Sequence, residues 1–222
     1  MHKVYSGPEE ILSHLISRYP VLVPQEKNIQ DAFDLLCTSF ESGGKLLLCG
    51  NGGSASDCQH IAGELMKSFT LRREPDCEFE SSIREMYPES ADFLLSKLEQ
   101  GLPAIPLTES TSLLTAVIND TASDTVYAQQ VYSLANHADT LLCISTSGNS
   151  TNCVLAAQTA QALGLFVISL TGSKDSKLSE ISDITIQVPA METYEIQELH
   201  LPVYHTLCLM LEYYFFGPEI HS

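Results

Sequence analysis

The chain has 222 residues, and 11 Lys and Arg against 28 Asp and Glu give a formal net charge of −17. Affinity for nucleic acid rests mainly on neutralising phosphates with basic side chains, so we expect neither nucleic acid nor an anionic membrane as a partner. A small anionic ligand stays compatible with this charge, provided that backbone dipoles and neutral hydrogen-bond donors bind it.

The cysteines and the amino terminus indicate a reducing compartment. The seven cysteines are an odd number without a CxxC pair, and several lie inside apolar runs. Such residues are typical of reduced thiols in a protein core. The first eight residues lack the apolar segment of a secretory signal, and no apolar run reaches the length of about 18 residues that a spanning helix needs. We therefore predict a cytoplasmic location.

The first 42 residues predict two amphipathic helices, separated by prolines. The first lies between Glu9 and Tyr19, and the second extends through Ile29 to Phe40. Their apolar stripes must be covered, either by the rest of the chain or by another subunit. We treat residues 1–42 as an N-terminal helical arm and residues 43–222 as the main domain.

In the main domain, five short apolar runs alternate with segments of helical length. The runs are Lys45–Cys49, Ala104–Leu107, Thr140–Ile144, Leu165–Leu170 and Ile184–Val188. Continuous hydrophobicity in short strands indicates burial on both faces, as in a parallel sheet between helices. The predicted helices are Ser54–Phe69, Ser123–Ala135, Thr151–Leu163, Ser176–Ser182 and Thr193–Phe216. This order predicts an α/β fold with a doubly wound, five-stranded parallel sheet flanked by helices.

One segment does not follow the alternation. Residues 72–101 are rich in Glu, contain two prolines and show one short predicted helix, Ser90–Glu99. We predict an acidic surface insertion between a helix and the next strand.

A glycine-rich turn directly follows the first predicted strand. Its sequence is Gly50-Asn51-Gly52-Gly53-Ser54. Glycines let the backbone approach a ligand closely, and the next helix offers unpaired N–H groups. The residues also satisfy the loose dinucleotide pattern, but the acid expected about 20 residues further on is missing. The turn by itself is compatible with an anion site or with a plain structural turn.

A hydroxyl-rich turn follows the third predicted strand. Its sequence is Ser145-Thr146-Ser147-Gly148-Asn149-Ser150, and a helix comes next. Hydroxyls at a helix start are often ordinary N-caps. A Ser-Thr-Ser-x-x-Ser sequence after a buried strand favours phosphate binding, because side-chain donors and N–H groups then surround one anion.

Two helices carry candidate acid–base groups. His60 and Glu64 share one face of the helix that begins at the glycine-rich turn. Such a pair is usually a solvated surface contact, but its helix starts at the candidate ligand site, which favours a functional role. On the last helix Gln197, Leu201 and His205 form one ridge, where periodicity alone makes Gln197 a capping or surface amide and His205 a packed core residue.

The two turns, in their strand–turn–helix context, resemble the sugar isomerase (SIS) domain and, more narrowly, the phosphoheptose isomerases. The resemblance covers Lys45–Phe69 and about Leu107–Phe216. It implies an aldose–ketose isomerase that converts sedoheptulose 7-phosphate to D-glycero-D-manno-heptose 7-phosphate by proton transfer through an enediol. It also implies a homotetramer with sites between subunits.

The resemblance also implies roles for single residues. In this family four side chains surround the active site and bind zinc in several members. A His and a Glu come from the helix that follows the glycine-rich turn, and a Gln and a His come from the last helix. The corresponding Zn²⁺ ligands are His60, Glu64, Gln197 and His205, with Glu64 and His205 as the catalytic acid–base groups. Whether Glu64 acts mainly as base or as ligand stays open. The implied substrate contacts are Asn51, Gly52, Gly53, Ser54, Asn119, Asp120, Ser145, Thr146, Ser147, Ser150 and Gln197. The histidines without an assigned role are His2, His14, His137, His200 and His221.

Two departures from the family pattern leave the sugar open. The insertion at 72–101 is longer than the family's connection, and Tyr194-Glu195 stands where the family often has an acid followed by a basic residue. A second hypothesis is a non-enzymatic relative that binds the replication initiator DnaA. Retention of Glu64 and His205 argues against this regulator, whereas the acidic insertion would suit a protein-binding surface.

Overall fold

The computed structural model describes residues 5–218, in which five parallel strands form a single sheet between helices. The strands are β1 (Leu46–Gly50), β2 (Ala104–Pro106), β3 (Thr140–Ile144), β4 (Phe166–Thr171) and β5 (Ile184–Gln187). The α-helices are α1 (Pro8–Arg18), α2 (Glu26–Glu41), α3 (Gly53–Met66), α4 (Cys77–Met86), α5 (Pro88–Lys97), α6 (Thr111–Asp120), α7 (Val126–Leu134), α8 (Thr151–Ala162), α9 (Lys177–Ile181) and α10 (Thr193–Phe216). The predicted fold class is confirmed.

The strand order creates one natural site for a ligand. The strands lie in the order β2-β1-β3-β4-β5, and every neighbouring pair is parallel. After β1 the chain builds β2 on one side and then returns to place β3 on the other. Ligands of such sheets bind beyond the carboxyl ends of the strands where this reversal occurs. The glycine-rich turn after β1 and the hydroxyl-rich turn after β3 therefore border the same crevice.

Alternate side chains of each strand enter two different cores. Leu46 and Leu48 of β1 pack with α1, α2, α3 and α10, whereas Leu47 and Cys49 pack with α7 and α8 on the opposite face. Successive residues of a strand point to opposite faces, so burial on both sides requires a continuous apolar run. The predicted burial on both faces is confirmed.

The N-terminal helices are covered within the chain. Leu12 and Leu15 of α1, together with Phe33 of α2, belong to the same buried cluster as Val203 and Leu207 of α10. The apolar stripes of the arm thus find their partner in α10 and in one face of the sheet.

The insertion contains two helices rather than the one predicted. The unpredicted helix is α4, which has no buried residue and begins at Asp76, whose carboxylate accepts the Phe79 N–H at 2.8 Å. Arg84 joins α4 to α5 through an ion pair with Asp92. Phe79, Ile83 and Met86 stand at helical spacing in α4, but the Glu-rich composition and the prolines of the segment favoured a surface insertion instead.

A second helix, α6, was also missed, and the helix predicted over Ser123–Ala135 starts later. Leu113, Val117 and Ile118 give α6 an apolar face, of which Val117 is buried while the other two stay exposed. Ser123–Thr125 forms a 3-10 turn that precedes α7, and a second such turn, Pro20–Gln25, joins α1 to α2. Side-chain periodicity predicts helical segments better than their first residues.

The cysteines are free thiols, as the composition suggests. Six are buried and Cys77 of α4 is exposed. Across residues 5–218, no helix is both long and apolar enough to cross a membrane. His2 and His221 lie outside the described residues.

Candidate active site

The glycine-rich turn is tied to two helices on the far side of the sheet. The side-chain amide of Asn51 donates to Asn152 Oδ1 at 2.9 Å, and Asn152 donates back to Asn51 Oδ1 at 2.9 Å. The Tyr127 hydroxyl donates to the Gly50 carbonyl at 2.6 Å. Gly52 has φ +58°, in the left-handed region that glycine adopts readily, and no side chain caps α3. The turn is thereby held in place, and its own carbonyls accept the N–H groups of Ser54, Ala55 and Ser56 in the first turn of α3.

The hydroxyl-rich turn does not cap its helix with a side chain. The Ser145 and Ser150 hydroxyls lie 3.1 Å apart, and Ser147 Oγ accepts the Asn149 N–H at 3.2 Å. Ser150 occupies the N-cap position of α8 without a side-chain cap hydrogen bond. The alternative explanation of these hydroxyls as N-caps is therefore wrong for Ser150. Asn152 Oδ1 accepts the Cys153 N–H at 3.0 Å, so the N–H groups of Thr151 and Asn152 are the donors that the first turn of α8 offers to a ligand.

A cavity of about 200 Å³ lies beside the hydroxyl-rich turn. Its wall includes Thr146 and Ser147 from the turn, and Thr193 and Ile196 from the start of α10. Lys174 and the neighbouring Asp175, in the loop after β4, also line it. Sequence reasoning missed this lysine, although its place just beyond the carboxyl end of a strand was a usable signal. Hydroxyls, helix N–H groups and one local cation together suit a phosphate despite the acidic chain.

Helix α10 runs alongside α3 away from this cavity. A Cβ on Gly53 would lie 2.6 Å from Gln197 Nε2, so the Gln197 side chain packs directly on the glycine. Seven residues further along each helix, Tyr204 of α10 contacts His60 of α3, with 3.1 Å between the Tyr204 hydroxyl and His60 Nδ1. Seven residues span roughly 10 Å of helix. The two helices therefore connect the turns to a second group of polar side chains.

That second group brings together three of the predicted site residues. His60 Nε2 lies 3.1 Å from Glu64 Oε1 and 3.4 Å from His205 Nε2. The His60 and His205 rings meet at 87° with centroids 4.9 Å apart. Gln197, the fourth predicted member, lies at Gly53, roughly two helical turns from this group.

The environment favours the neutral form of the His205 imidazole. Burial lowers the pKa of His205, the neighbouring His60 lowers it further, and Glu64 opposes both effects. A neutral imidazole has one nitrogen that accepts a proton and one that donates, which is what proton transfer requires.

Asp57 and Tyr204 are neighbours of His60 that sequence reasoning missed. The Tyr204 hydroxyl donates to Asp57 Oδ1 at 3.2 Å. Burial raises the pKa of Asp57, while the hydrogen bond from Tyr204 and the nearby His60 oppose it. The spacing of Asp57 and His60, three residues apart on one helix, was the available signal.

The remaining predicted contacts lie in different settings. Ser54 is buried within the first turn of α3. Asn119 donates to Asp120 at 2.7 Å on the exposed end of α6, and no hydrogen bond within the described residues joins this pair to either turn. His14, which the sequence left without a partner, lies 3.1 Å from the Tyr5 hydroxyl.

His200 is a buried packing residue, and we expect it to make the protein sensitive to acid. Burial lowers the pKa of His200 from 6.5 to about 4. Between these values the unfolded chain binds a proton at His200 that the folded chain does not, so stability falls as the pH decreases. From pH 7 to pH 5 this lowers the free energy of unfolding by about 2 kcal/mol, a contribution that His200→Leu removes. Urea unfolding at both pH values measures it, and an equal loss in parent and variant would contradict it.

Comparison with known proteins agrees with this architecture. The family model of the SIS domain matches residues 15–79 and 81–172. A phosphoheptose isomerase of Aliarcobacter butzleri is 37% identical over 204 residues, which cover 92% of this chain and 94% of the relative. A phosphoheptose isomerase of Helicobacter hepaticus is 41% identical over 184 residues, 83% of this chain and 81% of the relative.

Solved structures show the same fold. The structure of a phosphoheptose isomerase from Neisseria gonorrhoeae superposes with a TM-score of 0.69 and 31% identity, covering 92% of this chain and 97% of that one. The structure of a phosphoheptose isomerase from Francisella tularensis superposes with a TM-score of 0.70 and 30% identity, covering 91% of this chain and 96% of that one. The chain belongs to the SIS domain family. Within that family it is an isomerase of phosphosugars, which confirms the resemblance read from the two turns.

Proposed function

We propose that this isomerase converts sedoheptulose 7-phosphate to D-glycero-D-manno-heptose 7-phosphate. The observation that carries the proposal is the meeting of His60, Glu64 and His205 near one point, which α10 connects to the cavity beside the hydroxyl-rich turn. A long sugar phosphate can place its anionic end in the cavity and its carbonyl end at these side chains. The names of the similar proteins support the choice of a heptose.

The proposed chemistry moves one proton between two carbons. Glu64 removes the proton from the carbon next to the ketose carbonyl and returns it to the former carbonyl carbon. Neutral His205 moves a proton between the two oxygens of the intermediate enediol. The phosphate stays bound to the hydroxyl-rich turn, with Lys174 supplying local positive charge. General acid–base groups of this kind each contribute about 10²–10⁴ in rate.

Two distances at this point are compatible with the proposed zinc ion. Tetrahedral zinc with Zn–N bonds of about 2.0–2.1 Å separates two ligand atoms by about 3.3 Å. The observed separations are 3.4 Å between the two Nε2 atoms and 3.1 Å between His60 Nε2 and Glu64 Oε1. Among residues 5–218, no three His, Cys, Asp or Glu side chains are arranged to hold a metal ion. If zinc binds, His60, Glu64 and His205 would hold it, with Gln197 as the proposed fourth ligand. A bound zinc ion would polarise a sugar oxygen.

The decisive experiment follows deuterium rather than product. The protein is incubated in D₂O with a panel of ketose phosphates, and NMR records deuterium entering beside the carbonyl. Exchange with sedoheptulose 7-phosphate supports the proposal, and exchange with another sugar alone would reassign the substrate. The regulator alternative has little support, since the matched relatives are isomerases and the acid–base groups lie together.

Ser147→Ala tests the phosphate turn. Removing one neutral hydrogen bond should weaken binding of the sugar phosphate by about 1 kcal/mol and leave turnover at saturation nearly unchanged. Titration calorimetry measures the change. The matched control is Ser133→Ala on α7, whose hydroxyl bonds to the Gln129 carbonyl of its own helix. Equal affinities in both variants and the parent would remove Ser147 from the phosphate site.

A further inference from the structure

Tyr204 lies at the ring nitrogen of His60 that does not face Glu64. Its hydroxyl is 3.1 Å from His60 Nδ1 and 3.2 Å from Asp57 Oδ1. Tyr204 is 2% exposed, so water does not compete freely for these contacts. The three groups therefore form a short chain that ends at the imidazole.

The protons in this chain can be counted. A carboxylate only accepts hydrogen bonds, whereas a phenol has one proton and two lone pairs. Tyr204 must give its proton to Asp57, because Asp57 Oδ2 is buried without a hydrogen-bond partner among residues 5–218 and the carboxylate would otherwise lack a donor. The phenol oxygen then accepts, and the donor available to it is His60 Nδ1–H.

We infer that Tyr204, held by Asp57, is a positioning residue that keeps His60 as the Nδ1–H tautomer, with the Nε2 lone pair facing Glu64 and His205. The reversed arrangement would turn the only phenol proton toward His60 and leave the buried carboxylate of Asp57 without a donor, which is costly. Tyr204 and Asp57, which do not belong to the proposed acid–base pair, thus set the tautomer of His60.

The consequence concerns cation binding. With Nδ1 protonated, His60 Nε2 presents a lone pair 3.1 Å from the Glu64 carboxylate and 3.4 Å from His205 Nε2. Three electron-pair donors this close repel one another unless a proton or a metal ion lies between them. Partners that orient a metal-binding imidazole are typically worth 10–100-fold in metal affinity. This consequence rests on the proposed zinc site, whereas the tautomer assignment does not.

The test uses Tyr204→Phe, which removes one hydroxyl and keeps the ring. The first readout is the ¹⁵N spectrum of histidine-labelled, metal-free protein, with His60→Gln to assign the signal. We expect a protonated Nδ1 at His60 in the parent and a mixture of tautomers in the variant. The second readout is Zn²⁺ affinity by calorimetry, expected to fall 10–100-fold. Tyr214→Phe is the matched control, since its hydroxyl on the same helix donates to Glu41 at 2.5 Å.

The outcomes separate this inference from the proposed function. Nε2–H at His60 in the parent, or unchanged tautomer and Zn²⁺ affinity in Tyr204→Phe, overturns the inference. If the parent protein has Nδ1–H at His60 but binds no Zn²⁺, zinc is no longer part of the proposed function, and the tautomer assignment is still supported. Asp57→Asn is the second variant: its amide can donate to Tyr204, which releases the phenol proton toward His60 and should shift the tautomer toward Nε2–H.

Discussion

Glu64→Gln is expected to lower turnover by a factor of about 100 or more, because the amide cannot accept a proton from carbon. The shape of the side chain is nearly unchanged, and Glu64 lies roughly three helical turns from the glycine that opens α3. Binding of the phosphate end should therefore stay close to that of the parent. Turnover from coupled assays and affinity from calorimetry measure the two effects separately.

The matched control is Glu9→Gln on α1, an exposed carboxylate whose neutralisation should leave turnover unchanged. Both variants are assayed with and without added Zn²⁺, since Glu64 is also a proposed ligand. Loss of turnover that added Zn²⁺ does not restore assigns Glu64 as the base. Turnover within a factor of about three of the parent would remove Glu64 from the acid–base machinery.

Glu212→Ala is expected to lower the free energy of unfolding more than the other substitutions proposed for this protein. Glu212 and Arg73 form an ion pair at 2.9 Å, and both side chains are fully buried. Removing one partner of a buried pair leaves the other charge uncompensated, at a cost of about 3–5 kcal/mol in the free energy of unfolding. Denaturant unfolding measures the difference. The control is Glu74→Ala, which breaks the exposed pair with Arg72 and should leave the unfolding midpoint unchanged.

The same substitution should also reduce activity in the molecules that remain folded. Glu212 accepts the backbone N–H groups of Phe69 and Thr70 at 2.7 and 2.8 Å, and the Phe69 ring contacts His205 with centroids 5.5 Å apart. Arg73 in turn donates to the Glu64 carbonyl at 2.9 Å. The buried pair thus holds both segments that carry the acid–base groups. An unchanged free energy of unfolding in Glu212→Ala would show that the attraction between Glu212 and Arg73 only offsets the cost of burying their charges.

Much of the fold was predictable because it follows from local patterns. The β3 run Thr140–Ile144 coincides with the predicted strand, and α10 has its predicted limits. Burial on two faces leaves a continuous apolar run, and a parallel sheet needs helices between its strands. The helices α4 and α6 were missed although both carry apolar residues at helical spacing. The sequence around α4 was interpreted as an acidic surface insertion, and no helix was assigned to the sequence of α6.

The candidate site divides along the same line. The sequence by itself determined the two turns and the pairing of His60 with Glu64, because these depend on residues within one or two helical turns of each other. Only the tertiary structure decided that His205 meets His60, that Gln197 packs on Gly53, and that the Tyr204 hydroxyl lies between His60 and Asp57. These contacts join residues more than 140 positions apart. They depend on how α3 and α10 pack together on the sheet, and such packing leaves no periodic trace within either helix.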